Sequence, residues 1–433
     1  MNTVTAKPRS LGELIQYHRK NKNFSLSKLQ DVVGIDKGSL SRIENGGVKR
    51  PDFQSILSIA AALDIPHNDI VEQYIELGHK SEVIYSILQN ELATIEDPPL
   101  ISKIAFRFLE SPNEDSFELV KKLYQMIDSV EDTSIQLSLC HLIIDYSRSH
   151  GIMPYIAKGL YRKYMIERND FSKLKETYQS GKNILDYANF LSDKEKIIAH
   201  YSLAVHAYNL MLYEECINLS SYILENDEPL GEYKANAVYS IACSYHYLGQ
   251  YEQCQIYLGE CNKFPFPYVS DNARFKKAIT NGKIGNTELS ISQLEDYLKN
   301  PSDYNLIYAV TELLNLYLST NDLVSAEGLL RYEDWMIESI NDERTPPIKK
   351  STLAYYYLLK GIFLLKVQSC GEAFDCYIES AWKYMDISMY DKAIMSLLHI
   401  SHAIIKDETL LTMEVMKKLD SIYHQLIKRG LVA

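Results

Sequence analysis

A chain of 433 residues is longer than one hydrophobic core usually serves, so two or more domains are expected. With 46% hydrophobic and 24% charged residues but only 18 Gly and 13 Pro, the composition excludes a disordered or fibrous chain and favours an all-α one. The formal net charge of -12 runs against nucleic-acid binding by the chain as a whole. It is unevenly spread, however: residues 1–66 hold ten Lys/Arg against six acidic residues, a net of +4, which leaves -16 on the remainder.

The first helix is expected from Ser10, with Leu11, Leu14 and Ile15 on its apolar face. Ser25 is placed to cap a second helix whose Leu29 and Val32/Val33 turn inward, and Gly34 supplies the tight turn after it. Asp36 then caps a third helix with Leu40 and Ile43 inward, stopped by Asn45-Gly46-Gly47. A fourth amphipathic helix carries Ile56, Leu57, Ile59, Ala60 and Leu63. Two short helices about a glycine turn are the unit that lays its second helix in the major groove. With Leu40 and Ile43 inward, Lys37, Gly38, Ser41 and Arg42 face out, and Lys37 and Arg42 can donate to guanine O6 and N7. Asn45, Lys49 and Arg50 lie just past that helix, where phosphate contacts are expected.

The segment, and SLSRIENG above all, resembles the Xre/Cro/repressor-type helix-turn-helix over about the first 66 residues. The resemblance implies base contacts from Lys37, Gly38 and Arg42, and a phosphate contact from Asn45. Leu26 stands where that family often has a phosphate-contacting Gln.

Beyond Pro66 a helical stretch is expected from roughly Asp69 to Ile95, closed by Pro98-Pro99. Residues 67–99 read as a linker helix region whose Ile70, Tyr74, Leu77, Ile84, Ile87, Leu88 and Leu92 could also face a partner chain.

From about Leu100 to the C-terminus, residues 100–433, the sequence repeats itself. A twelve-residue interval joins Ala204 to Cys216, Ala242 to Cys254, Ala278 to Ser290, Leu314 to Ala326, and Gly361 to Ala373. The loop positions Tyr213, Tyr251, Thr287, Leu323 and Cys370 keep step, and a weaker unit runs from Tyr155 to Tyr187. Small residues at this spacing let two helices cross closely. The pattern resembles the tetratricopeptide repeat, a helix pair of about 34 residues that stacks into a superhelix with a concave face. Leu314 departs from the small-residue rule.

If the first helix of each pair lines that face, residues at −6, −3, +1, +4 and +5 from the small anchor share one side. They are Tyr201, Tyr208 and Asn209; Asn236, Tyr239, His246 and Tyr247; Asn272, Phe275 and Lys283; Tyr308, Thr311 and Asn315; and Tyr355 and Lys366. An Asn in four of the five units suits a peptide backbone, which needs a donor and an acceptor together, and the aromatic rings offer pockets for its side chains. Ordinary core use of the tyrosines is the competing reading.

No catalytic constellation is found: the histidines lack a paired acid, and NGKIGNT lacks the upstream glycine and strand of a phosphate-binding loop. The chain is therefore expected to be a non-enzyme without cofactor or metal. The seven cysteines contain no CxxC pair and read as reduced core thiols. Met1 to Gln16 lacks the apolar run of a signal peptide, and no stretch reaches a membrane span of ~18 apolar residues, so a cytoplasmic protein is expected.

A helix-turn-helix head on a tetratricopeptide body resembles, in architecture, the RRNPP group of peptide-responsive regulators of Gram-positive bacteria and their mobile elements. That resemblance implies a short signalling peptide clamped by groove asparagines, here Asn209, Asn236, Asn272 and Asn315. It also implies a homodimer on an inverted-repeat operator in double-stranded DNA. The alternatives are a response-regulator phosphatase or sequestering protein of the Rap type, for which Gln73, Glu76, Gln89 and Glu91 are available, and a scaffold binding another protein's tail.

Overall fold

Polar caps fix where the head's helices begin. Ser10, Ser25, Asp36 and Asp52 each accept a backbone N–H three residues on, opening α1 (Leu11–Asn21), α2 (Leu26–Val33), α3 (Lys37–Glu44) and α4 (Phe53–Leu63). Gly34 ends α2 at φ +72°, a left-handed conformation that glycine adopts without steric cost. The computed structural model describes residues 10–94, 97–112, 114–341 and 345–430 and is all-α, with no strand among the described residues.

After α4 come α5 (His67–Ile75), α6 (Ser81–Thr94), α7 (Pro98–Leu109), α8 (Ser116–Met126), α9 (Thr133–His150), α10 (Met153–Glu167) and α11 (Leu174–Asp186). The single stretch expected from Asp69 to Ile95 is thus two helices, broken at Gly78, whose φ is +65°. Its expected end at Ile95 lies outside the described residues. Pro98 and Pro99 open α7 rather than merely closing what precedes them, because a first-turn N–H has no helical partner to lose. Ile70, Tyr74, Ile84, Ile87 and Leu88 are buried in the same core as Leu29 and Leu40, which takes these five out of any surface open to a partner chain.

The chain divides into two compact units, Met1–Ile166 with Asn183–Leu191, and Glu167–Lys182 with Ser192–Ala433. The boundaries expected at 66 and 99 fall inside the first unit, where one core runs from Leu11 to Tyr155.

The second unit holds the repeats: α12 (Asp193–Asn209), α13 (Tyr213–Asn226), α14 (Glu232–Tyr247), α15 (Tyr251–Cys261), α16 (Pro267–Lys283), α17 (Thr287–Tyr297), α18 (Leu306–Thr320), α19 (Leu323–Leu329), α20 (Glu333–Glu338), α21 (Pro347–Lys366), α22 (Cys370–Met385), α23 (Tyr390–Lys406) and α24 (Met413–Gly430). The five twelve-residue pairs join α12 to α13, α14 to α15, α16 to α17, α18 to α19 and α21 to α22, and every anchor residue is buried. At two of them the reason for smallness is plain. A Cβ on Gly361 would stand 2.6 Å from the Tyr377 ring, and the Ser290 hydroxyl donates to the Ala278 carbonyl at 2.8 Å. Leu314 is fully buried as well, and the second helix of its pair is the short α19.

Each of these second helices starts at the expected loop residue: Tyr213, Tyr251, Thr287, Leu323 and Cys370. Two residues earlier the backbone turns left-handed every time, at Met211, Gly249, Gly285, Asn321 and Gln368, and again at Ser388 before α23. One residue later an N–H reaches back to the first helix at 2.9 Å, as from Leu212 to Ala207 and from Ser369 to Leu364. This is the Schellman closure of a helix C-terminus, used six times among the described residues of this unit.

Candidate DNA-binding surface and ligand cavity

In the head, α3 is held from below. The Arg19 guanidinium in α1 grips the Glu44 carboxylate at the end of α3 through two bonds, of 2.6 and 2.8 Å, and donates a third to the Phe24 carbonyl. Both side chains are nearly buried. Gly12 in α1 lets α3 come this close, since a Cβ there would stand 2.4 Å from the Glu44 carbonyl oxygen. Gln30 in α2 accepts the N–H of Lys37 at 2.9 Å, which fixes the start of α3.

On the opposite side, Lys37, Gly38, Arg42, Asn45, Lys49 and Arg50 are exposed, and Ser41 is half-buried. The Asn45 amide donates to the Ser41 carbonyl at 2.8 Å, and Arg42 donates to the Ser39 hydroxyl at 3.1 Å. A Cβ on Gly38 would meet only the capping Asp36 carboxylate, at 3.1 Å. Lys37, Arg42, Lys49 and Arg50 make no ion pair among the described residues, whereas Arg19 and Lys22 of the same head are paired with Glu44 and Asp64. The face therefore carries cations that no carboxylate of the head neutralises among the described residues. Arg19, Glu44 and Gly12 escaped the sequence reading. The signal was an Arg and a Glu in a segment whose other charges sit on outer faces.

In the repeat unit a cavity of about 460 Å³ is lined by residues of α14, α15, α16, α18, α21, α22 and α23. Of the residues expected on the groove, His246, Lys283, Tyr308 and Thr311 line it, as do Tyr247 and Tyr355. The asparagines are not among its lining residues. Asn236 donates to the Glu232 carbonyl and the Tyr268 hydroxyl, Asn272 accepts from Asn305, and Asn315 accepts from the Tyr355 hydroxyl. Asn209 is half-buried. Asn272 and Phe275 instead line a separate cavity, where the buried Phe275 packs on Tyr297 at 4.5 Å. Tyr201 packs edge-on against Tyr233, Tyr239 is half-buried in α14, and Lys366 donates to Asn321. Tyr208 reaches the cavity only through neighbours: it packs on Tyr213 and Tyr247, which stack at 5.0 Å.

The cavity's electrostatics come from residues the periodic reading left out. Lys276 and Glu312 both stand at −2 from their anchors, one heptad before the +5 position of Lys283, and both line the cavity. Lys283 pairs with Glu312 at 2.8 Å. His246 is buried and shares a 2.9 Å bond with the Thr280 hydroxyl. Burial pushes its imidazole down to about 2, helped by Lys276 and Lys283, so it stays neutral. Six of the seven cysteines are buried, Cys370 is half-buried, and all are free thiols.

Of the four polar groups set aside for phosphotransfer chemistry, Glu76 is engaged by Arg107 and Glu91 by His67. Gln89 is exposed, and Gln73 is half-buried beside Glu72 and Arg107. NGKIGNT is a helix end and turn, with Gly285 at φ +94°. No helix among the described residues is long and apolar enough to cross a membrane.

A helix-turn-helix family model matches residues 15–70. Over 73 residues the chain is 29% identical to the HTH-type transcriptional regulator SinR of Bacillus subtilis, a span that covers 17% of this chain and 66% of SinR. It is 23% identical over 199 residues to a V-type proton ATPase subunit from Dictyostelium discoideum, covering 43% of this chain and 44% of that one. The chain thus spans only part of the curated relatives it matches. Among solved structures, a Rap protein complexed with competence and sporulation factor aligns over 76% of this chain and 100% of its own, at 14% identity and a TM-score of 0.40. PlcR of Bacillus thuringiensis, in complex with the peptide PapR7 and DNA, aligns over 67% and 99%, at 16% identity and a TM-score of 0.19. Residues 15–70 are a helix-turn-helix domain, and helical repeats follow it.

Proposed function

We propose that this helix-turn-helix protein is a sequence-specific transcription regulator of the RRNPP kind, acting in the cytoplasm as a homodimer on an inverted-repeat operator. A short peptide bound in the repeat unit sets its affinity for DNA. The observation that carries the DNA half is the exposed row Lys37, Arg42, Lys49 and Arg50, unpaired in a head whose Arg19 and Lys22 are paired. Lys37, Gly38, Ser41 and Arg42 address base edges, and Asn45, Lys49 and Arg50 the phosphates.

The peptide half is supported by the 460 Å³ cavity, whose tyrosines and threonines offer ring faces and hydroxyls to a flexible chain. His246, Lys283, Tyr308 and Thr311 contact the ligand there. Tyr201, Tyr208 and Asn209 on α12, and the asparagines of α14, α16 and α18, stand outside the cavity and serve an extended peptide longer than it. Control follows only if the peptide binds the DNA-competent and DNA-incompetent states with different affinity, and the coupling is then reciprocal.

The test is selection of a duplex from a random pool by the full-length protein, followed by titration with peptides recovered from the protein purified from its native host. A selected consensus with two related half-sites, and an affinity for it that moves with peptide, supports the proposal. A protein that selects no consensus refutes the first half, and an affinity indifferent to bound peptide refutes the second.

A further inference from the structure

One charge in the cavity has no counterpart. Lys276 is only 5% exposed and lines the cavity, yet its ammonium makes no hydrogen bond or ion pair among the described residues. Its one close partner is the Tyr247 ring, 4.9 Å away. An ammonium largely withdrawn from water without a carboxylate is costly, and a ring face offsets part of that cost. The other charges lining the cavity do not answer it. Glu312, the only acid there, is engaged by Lys283 at 2.8 Å, Lys392 at the exposed edge adds a further cation, and His246 is neutral.

We infer that the ligand of this cavity carries a carboxylate that seats on Lys276 beside the Tyr247 ring. This inference rests on the peptide reading above, in which the carboxylate is either the peptide's C-terminus or an Asp or Glu side chain. Binding supplies the counter-charge that the fold withholds, and the dry surroundings strengthen the pair. A ligand with an amide in that place leaves the lysine buried and unanswered, so the site discriminates acid from amide more sharply than an exposed lysine would.

The experiment uses a synthetic pool of five- to eight-residue peptides with free C-termini. The pool is captured on the full-length protein and read by mass spectrometry, and Kd is then measured for the best peptide. Three proteins are compared: the natural one, K276M and K276R, each checked for helical content by circular dichroism. The expected result is a loss of about tenfold or more in affinity for K276M and partial recovery for K276R. For the natural protein, a similar loss is expected when either the peptide's terminus is amidated or its acidic residue is replaced by the amide. Those two arms tell the terminal carboxylate from the side-chain one. If K276M binds the selected peptide as tightly as the natural protein, the carboxylate inference falls while the peptide reading stands. If the same peptide loses nothing on removal of every carboxylate, the inference falls likewise. If the natural protein captures no peptide, both fall.

Discussion

Arg19 and Glu44 show how much of the proposed DNA-reading surface is decided beneath it. Their bidentate pair has side chains 11% and 3% exposed, so removing one partner strands a buried charge. R19M should destabilise the head by ~3 kcal/mol, and R19M with E44L should recover most of that loss. Hydrogen exchange at the Leu40 and Ile43 amides would read both. R42A, on the outer face of the same helix, should leave those amides protected. It should weaken binding to the selected duplex by about 1–3 kcal/mol and relax preference at one base pair. K49A should instead weaken all duplexes alike.

His246 makes a different prediction at the same scale. Its folded pKa lies far below the ordinary imidazole value, so the unfolded chain takes up the proton first. The stability it contributes is complete above about pH 6.5 and is lost as the pH falls below that, at ~1.4 kcal/mol per pH unit. His206, pushed down to about 4 by burial, acts in the same direction. Thermal unfolding followed from pH 7 to pH 4.5 should show a falling Tm. H246Q, whose amide can still meet the Thr280 hydroxyl, should flatten that slope. An H246Q profile as steep as the natural one would remove His246 from the account.

Among elements, the six left-handed turns that end α12, α14, α16, α18, α21 and α22 are the most regular feature of the repeat unit. Only Gly249 and Gly285 are glycines; Met211, Asn321, Gln368 and Ser388 hold the same conformation with a side chain. A left-handed residue with a Cβ costs ~1–2 kcal/mol, less for Asn. Q368G and M211G should therefore raise stability by about 1 kcal/mol and G249A should lower it by a similar amount, measured by denaturant unfolding. These turns also explain what could be read in advance. A left-handed residue, one reversed hydrogen bond and a helix start two residues later form a rigid spacer, so the anchors kept a twelve-residue interval that survives changes of residue type.

The head was legible for the same kind of reason: Ser25, Gly34 and Asp36 are local signals, and each does locally what its chemistry dictates. What escaped depends on tertiary contact. The −2 positions of Lys276 and Glu312 become important only when neighbouring helices close the cavity. Three of the four asparagines expected on the groove meet partners 32 to 40 residues away: Tyr268 for Asn236, Asn305 for Asn272 and Tyr355 for Asn315. The break at Gly78 had a signal that a continuous apolar pattern masked, and Pro98-Pro99 mark a helix start as readily as a helix end.

For the whole molecule, the contrast between a head of +4 and a remainder of -16 is what the proposed function expects, since a net negative charge is repelled by phosphate. The repeat unit is suited to a different ligand, and its cavity sets aromatic rings and cations side by side. The central claim is that occupancy of this cavity sets the head's affinity for DNA. The most direct measurement is the Kd of the full-length protein for its selected duplex, with and without saturating peptide, at one fixed salt concentration. The account predicts a change of about tenfold or more in either direction, equivalent to a coupling of ~1.4 kcal/mol, with the reciprocal change in peptide affinity when DNA is bound. An identical Kd in the two conditions, with peptide binding verified in the same samples, would contradict it.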